Sequence, residues 1–131
     1  MKVVFLGATK GMGRALARLM AARGDQLALL GRDMADLQRS AQDLQIIGAS
    51  RSVATIACDL LHPDGFGKAL DEAASHLNGF DTVVVTAGLF AGQEELEADA
   101  SLRERLLTAD FTNTVLFCET ARTRLLAAGG G

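Results

Sequence analysis

The stretch Val3-Val4-Phe5-Leu6-Gly7-Ala8-Thr9-Lys10-Gly11-Met12-Gly13 runs from four apolar residues into three glycines spaced four and two apart. Helical periodicity begins directly afterwards, with Ala15, Leu16, Leu19 and Met20 recurring at three and four positions. A short apolar run that ends on glycine reads as a strand buried on both faces. Glycines permit a sharp turn and close backbone approach, and the free N–H groups at the start of the following helix attract an anion such as a pyrophosphate. This stretch therefore reads as strand, phosphate-binding turn and helix, the opening of a βαβ unit.

The same alternation continues along the chain. Gln26 to Leu30, Ser52 to Ala57 and Thr82 to Thr86 are further strand candidates. Between them, Met34, Leu37, Ala41 and Leu44 mark a second helix with Asp33 as its N-cap, and Phe66, Leu70, Ala73 and Leu77 mark a third closed by Asn78-Gly79. Gly24 and Gly48 stand where helix ends favour positive φ. Gly88 to Gly92 reads as a loop and Gln93 to Ala109 as a polar, partly helical stretch. A last helix is expected from about Thr108 to Ala128, burying the stripe Leu107, Phe111, Val115, Cys118, Ala121 and Leu125.

Right-handed crossovers give a doubly wound parallel sheet of strand order 3-2-1-4 in a three-layer α/β/α Rossmann-like fold. The crevice then lies at the carboxyl ends of strands 1 and 4, where the order reverses, and the glycine turn sits on it. A length of 131 residues fits one domain, 1–131. A net charge of −3 gives no basic excess for a nucleic-acid surface. No run of 18 apolar residues spans a bilayer, and no cleavage site follows the first strand, so the expectation is a cytoplasmic protein with no membrane partner. Cys58 and Cys118 lack metal or redox spacing and read as thiols in a reducing compartment. His62 and His76 read as structural or exposed, and no ligand cluster or nucleophile with base offers a metal site or another chemistry.

Four stretches together resemble the short-chain dehydrogenase/reductase family: Gly7-Ala-Thr-Lys-Gly11-Met-Gly13, Leu30-Gly31-Arg32-Asp33, Cys58-Asp59-Leu60, and Asp81-Thr-Val-Val-Val-Thr86-Ala87-Gly88. The spacing is GxxxGxG, not the general GxGxxG. The resemblance implies that Gly7, Gly11 and Gly13 cradle a pyrophosphate, that Asp59 meets the adenine amino group with Leu60 beside the ring, and that Ala87 and Gly88 line the ribose. The candidate cofactor-binding set is Gly7, Thr9, Lys10, Gly11, Met12, Gly13, Arg32, Asp59, Leu60, Ala87 and Gly88.

Charge selects between cofactors. An NAD(H) site places a carboxylate at the end of strand 2 for the ribose 2′-OH, and that carboxylate would repel a 2′-phosphate. Here Gly31 stands at that point, Arg32 follows, and Lys10 precedes the second glycine, so two cations border the position. Asp33 argues the other way, but its N-cap position is a sufficient structural reason for it. NADP(H) is favoured over NAD(H).

The resemblance also implies a Tyr-x-x-x-Lys pair and a Ser for hydride transfer, with an Asn in the helix after strand 4. This sequence contains no tyrosine. Asp110 takes the Asn position in the preferred register, with Asn113 three residues on, and both are expected on the helix surface. Val85-Thr86-Ala87-Gly88 replaces the family's Asn-Asn-Ala-Gly. No catalytic residue is therefore assigned within these 131 residues; the family's fifth strand, Ser and Tyr-Lys helix would lie beyond Gly131, so the chain alone is expected to be inactive. Two readings follow: the dinucleotide-binding portion of an NADP(H)-dependent oxidoreductase acting on a carbonyl/alcohol pair, with a small-molecule substrate only if a catalytic half exists, or a catalytically silent NADP(H)-binding sensor or interaction module. An uncovered strand 4 edge and the Phe111, Val115, Cys118 face would favour self-association.

Overall fold

The structure is a computed structural model that describes residues 1–49 and 52–130, so Gly131 of the terminal glycine run lies outside the described residues. Strands β1 (Lys2–Leu6), β2 (Gln26–Gly31), β3 (Ala54–Ala57) and β4 (Thr82–Val85) form a parallel sheet of order β3-β2-β1-β4. Val4 lies opposite Ala28 on one side and Val83 on the other. The expected order is found, and β3 and β4 are each shorter than the sequence suggests: Ser52 and Val53 lie outside β3, and Thr86 turns away after β4.

Alternation along the strands splits the core between the two faces of the sheet. Val3, Phe5, Leu27 and Leu29 pack under α1 (Gly11–Ala22) and α2 (Met34–Ile47). Val4, Leu6, Ala28 and Leu30 pack under α3 (Phe66–Leu77) and the C-terminal helices. In α1 the buried residues are Gly13, Ala17, Met20 and Ala21, while Ala15, Leu16 and Leu19 are exposed, which corrects the expected stripe. Gly13 has to face the strand turn, and the small residues one and two turns later follow on that side. Asp33 caps α2 as expected, accepting from the Asp36 N–H at 3.0 Å. His76 Nε2 lies 2.8 Å from the Ser52 carbonyl, tying the end of α3 to the entry of β3.

The largest departure lies after β4. Helix α4 (Gln93–Ala98) stops at Asp99, which caps α5 (Ala100–Leu107) by accepting from the Leu102 N–H. Helix α5 runs on through a π-helical turn, Thr108–Asn113, into α6 (Thr114–Ala127). The residues buried along this rod are Ala109, Asn113, Phe117 and Ala121. Of the expected stripe, Leu107 is 65% exposed, Phe111 71% and Val115 48%, Cys118 is exposed too, and only Ala121 is fully buried. Side-chain size misleads here. The rod lies close enough to the sheet to want alanines at the contact, and the one polar residue inside has a partner waiting for it: Asn113 Nδ2 donates to the Leu60 carbonyl at 2.8 Å. Phe117 completes the contact by meeting Phe66 of α3 edge to face, ring centroids 5.2 Å apart. Arg124 bolts the far end, donating to Asp71 Oδ1 at 2.8 Å and to the Gly67 carbonyl at 3.1 Å.

Because Phe117 is fully buried and Phe111 is not, the two phenylalanines should behave oppositely. Phe117→Ala should lower the unfolding free energy by about 3 to 5 kcal/mol, whereas Phe111→Ala should change it by less than about 0.5 kcal/mol. Urea denaturation of both variants checks which stripe faces the core.

Candidate functional site

The site begins where β1 turns into α1. Gly7 takes φ +104°, and a side chain there would meet Ala87 N at 2.3 Å. A Cβ at Gly13 would lie 2.1 Å from the Gly7 carbonyl oxygen and 2.3 Å from Thr86 Oγ1. These two glycines are required by packing: the turn lies directly against the end of β4, and α1 starts directly against the turn. Gly11 differs. It takes φ +51° and has nothing within 4 Å of where a Cβ would be, so the loop there is open to the outside.

Several hydrogen bonds fix the junction. Thr86 Oγ1 donates to the Gly7 carbonyl at 3.0 Å, and the N–H groups of Thr86 and Ala87 both donate to the Leu6 carbonyl. The Arg14 N–H donates to the Lys10 carbonyl, closing the first turn of α1. Lys10 is the N-cap and its side chain makes no capping bond, since an ammonium has no acceptor to offer the amides. The leading N–H groups of α1 therefore keep their capacity for an anion beside the open Gly11.

A cleft of about 240 Å³ opens at the carboxyl ends of the strands, at the reversal of strand order. It brings together Gly7, Thr9, Lys10, Arg32, Asp59, Leu60, Ala87 and Gly88 of the expected set. Gly11, Met12 and Gly13 do not line it: Gly11 and Met12 are exposed on the loop beside it, and Gly13 is buried beneath. The dinucleotide cradle expected of the three glycines thus divides into two that allow contact and one that leaves an approach.

At the β3 end, Asp59 is partly committed to its own turn: Oδ1 accepts from the Leu61 N–H at 2.9 Å, and Oδ2 lies 3.8 Å from His62 Nε2. At the β2 end, Lys10 Nζ lies 3.8 Å from Asp36 Oδ2, and Asp36 also pairs with Arg39. Asp33 spends Oδ1 on its cap, and that hydrogen bond, with help from the positive charges of Arg39 and Lys10, holds its carboxyl below the usual range. Asp33 and Asp36 both line the cleft.

Sequence reasoning missed Asp36 and Thr86 as parts of the site. Nothing in the sequence sets Asp36 apart from other helix acids, and Thr86 reads only as a strand end and a departure from a family pattern; nothing in one dimension signals a bond from Thr86 back across 79 positions. Asp110 and Asn113 are corrected as well. Asn113 is buried, and half-buried Asp110 turns inward, its Oδ1 accepting from the Leu89 N–H at 2.6 Å beneath the loop after β4. Their inward placement follows from acceptors and donors on loop backbone, which helical periodicity does not report.

Cys58 lines the cleft but is poorly suited to reaction there. Burial, with the Asp59 charge beside it, pushes its thiol up to about 11. Among the described residues no group of three or more His, Cys, Asp or Glu could hold a metal ion, and no helix is long and apolar enough to cross a membrane.

The whole stretch 1–131 matches the model of the short chain dehydrogenase family. A cis-4-hydroxycyclohexanecarboxylate dehydrogenase from Sinomonas cyclohexanicum is 28% identical over 98% of this chain and 51% of its own length. D-threitol dehydrogenase from Mycolicibacterium smegmatis is 30% identical over 95% of this chain and 47% of its own. The crystal structure of a short-chain type dehydrogenase/reductase from Mycobacterium marinum superposes with a TM-score of 0.88 at 27% identity, covering 98% of this chain and 51% of that one. The chain thus spans about half the length of each of these proteins.

The two thiols should part in reactivity. With an aromatic disulfide reagent near pH 8, exposed Cys118 should react at once, while Cys58, about one part in a thousand thiolate at that pH, should react only after unfolding. Two fast equivalents in the native protein would contradict the burial of Cys58.

Proposed function

Because this chain belongs to the short-chain dehydrogenase family, we propose that it is the NADP(H)-binding portion, as one domain over 1–131, of an oxidoreductase that transfers hydride between the nicotinamide cofactor and a carbonyl/alcohol pair. The observation that carries the reading is the junction of β1, α1 and β4. Two glycines are forced by contact there, and the third leaves free amides facing an open approach next to the cleft. When bound, the cofactor supplies the hydride; the residues here bind and orient it.

In this reading the leading amides of α1, around Gly11, Met12 and Gly13, take the pyrophosphate, with Gly7 and Thr9 shaping the turn. Asp59 accepts from the adenine amino group through the oxygen not used in its turn, and Leu60 packs beside the ring. Ala87 and Gly88 border the nicotinamide ribose. Arg32, just past β2, and Lys10, from the loop before α1, border the position proposed for a 2′-phosphate, and Asp33 is occupied by its cap. That arrangement supports NADP(H) over NAD(H).

The acid/base chemistry is not among these residues, since the sequence holds no tyrosine. We propose that a catalytic half is supplied by further sequence, and that the 131 residues alone bind nucleotide without turnover. Isothermal titration of NADPH and NADH checks the cofactor assignment. NADPH should bind the chain more tightly, and Lys10→Ala with Arg32→Ala should each weaken NADPH by roughly three- to tenfold while leaving NADH unchanged. Equal affinities in the unmodified chain would remove the NADP(H) preference.

A second reading, a catalytically silent NADP(H)-binding sensor or interaction module, is favoured by one observation. The outer face of the α5–α6 rod exposes Leu107, Phe111 and Val115, and β4 pairs only with β1 among the described residues. We propose self-association through that face or edge. Light scattering should show a concentration-dependent dimer that Phe111→Glu weakens; a clean monomer at high concentration would count against it.

A further inference from the structure

The cleft holds an internal anion at the end where nucleotide selectivity is decided. Asp36 stands in the first turn of α2, three residues after the cap that fixes that turn, and its carboxylate is held between two cations from different elements. Arg39, one turn further along α2, pairs with Oδ1. Lys10, from the loop before α1, reaches Oδ2 at 3.8 Å, close enough for attraction but without a hydrogen bond. Lys10 is mostly exposed and rides on a flexible stem, whereas the Asp36 side chain is largely covered. The fixed partner of this pair is therefore Asp36 and the mobile one is Lys10.

We infer that Asp36 is a specificity-determining residue of this nucleotide site, an internal competitor that occupies Lys10 and lowers the affinity for a 2′-phosphate without affecting a 2′-hydroxyl. The inference rests on the proposed reading that Lys10 faces the adenosine 2′ position. At the β2 end the charges on the lining and its rim are Lys10, Arg32 and Arg39 against Asp33 and Asp36; Asp59, the remaining carboxylate of the lining, stands at the β3 end and accepts from the Leu61 N–H. Asp33 is tied to a backbone N–H and cannot move, so Asp36 is the carboxylate whose pairing has to change when a phosphate arrives. A phosphate dianion must draw Lys10 away from Asp36 and then remain near that carboxylate; a neutral hydroxyl disturbs neither. Exposed ion pairs of this kind are weak, which makes the competition a graded setting of selectivity and not a block.

Asp36→Asn keeps the shape of the side chain, and the cap is untouched because Asp33 binds the Asp36 backbone. The substitution should tighten NADPH about fivefold and leave NADH unchanged. The gain should shrink at high salt. In the Lys10→Ala background the same substitution should gain less, since the competed cation is gone and only the direct repulsion by the carboxylate is relieved. Arg39→Ala, which removes a cation and leaves Asp36 to Lys10 alone, should shift NADPH the other way; circular dichroism confirms that α2 persists in each variant. A purely structural role for Asp36 would move both nucleotides together, and that outcome overturns the inference while leaving the NADP(H) reading intact. An unchanged NADPH affinity in Asp36→Asn overturns it likewise. Equal affinities of the unmodified chain for the two nucleotides would sink the NADP(H) preference, yet a rise for NADPH alone in Asp36→Asn would still support the inference. No binding of either nucleotide by any variant overturns both.

Discussion

The structure depends on one close approach, that of the turn after β1 to the end of β4. Backbone meets backbone there: Gly7 lies against Ala87, and Gly13 lies against the Gly7 carbonyl and Thr86. No Cβ fits at either glycine. That contact fixes the axis of α1 relative to the sheet and places the start of α1 over the point where the strand order reverses. The rest of the cleft is arranged around it, because β2 and β3 deliver their loops to the same edge of the sheet. The proposed phosphate site would be largely a consequence of packing: the turn that closes the sheet against α1 leaves the start of that helix without a side-chain cap beside the open Gly11.

The charges around the cleft are layered by how firmly each is held. Asp33 is fixed by the helix it caps, Asp59 is half committed to a turn, and Asp36 is clasped by Arg39. The exposed Lys10 side chain is the least held of these groups, and polar selectivity in a cleft of mixed sign rests on which groups are free to move. A count of cations and anions does not decide it, since a carboxylate occupied by a backbone N–H no longer competes for a ligand hydroxyl on equal terms.

The α5–α6 rod shows how one helix can serve two surfaces. Its inner face is small and partly polar, with Ala109, Asn113 and Ala121 allowing close approach and Phe117 filling the space against α3. Its outer face carries the larger apolar residues. The π-helical turn at Thr108–Asn113 is where the inner face meets two loops: Asp110 takes the Leu89 N–H, and Asn113 takes the Leu60 carbonyl. Both loops border the cleft, so the rod braces the site from beneath.

The sequence by itself determined the parallel order of the strands, the glycine turn and the cap at Asp33. Each of these follows from local chemistry: continuous apolar runs, glycine where only glycine fits, and a carboxylate three residues ahead of an amide. Eight of the expected site residues, Gly7, Thr9, Lys10, Arg32, Asp59, Leu60, Ala87 and Gly88, meet at one cleft for the same reason, since strand order alone sends their loops to one edge. Only the tertiary structure decided which face of the last helix is buried, that Asp110 and Asn113 point inward, and that Thr86 and Asp36 belong to the site. Those outcomes turn on partners supplied from dozens of residues away. Size and polarity in one dimension cannot reveal that an asparagine can be buried because a carbonyl stands ready to accept its amide hydrogen.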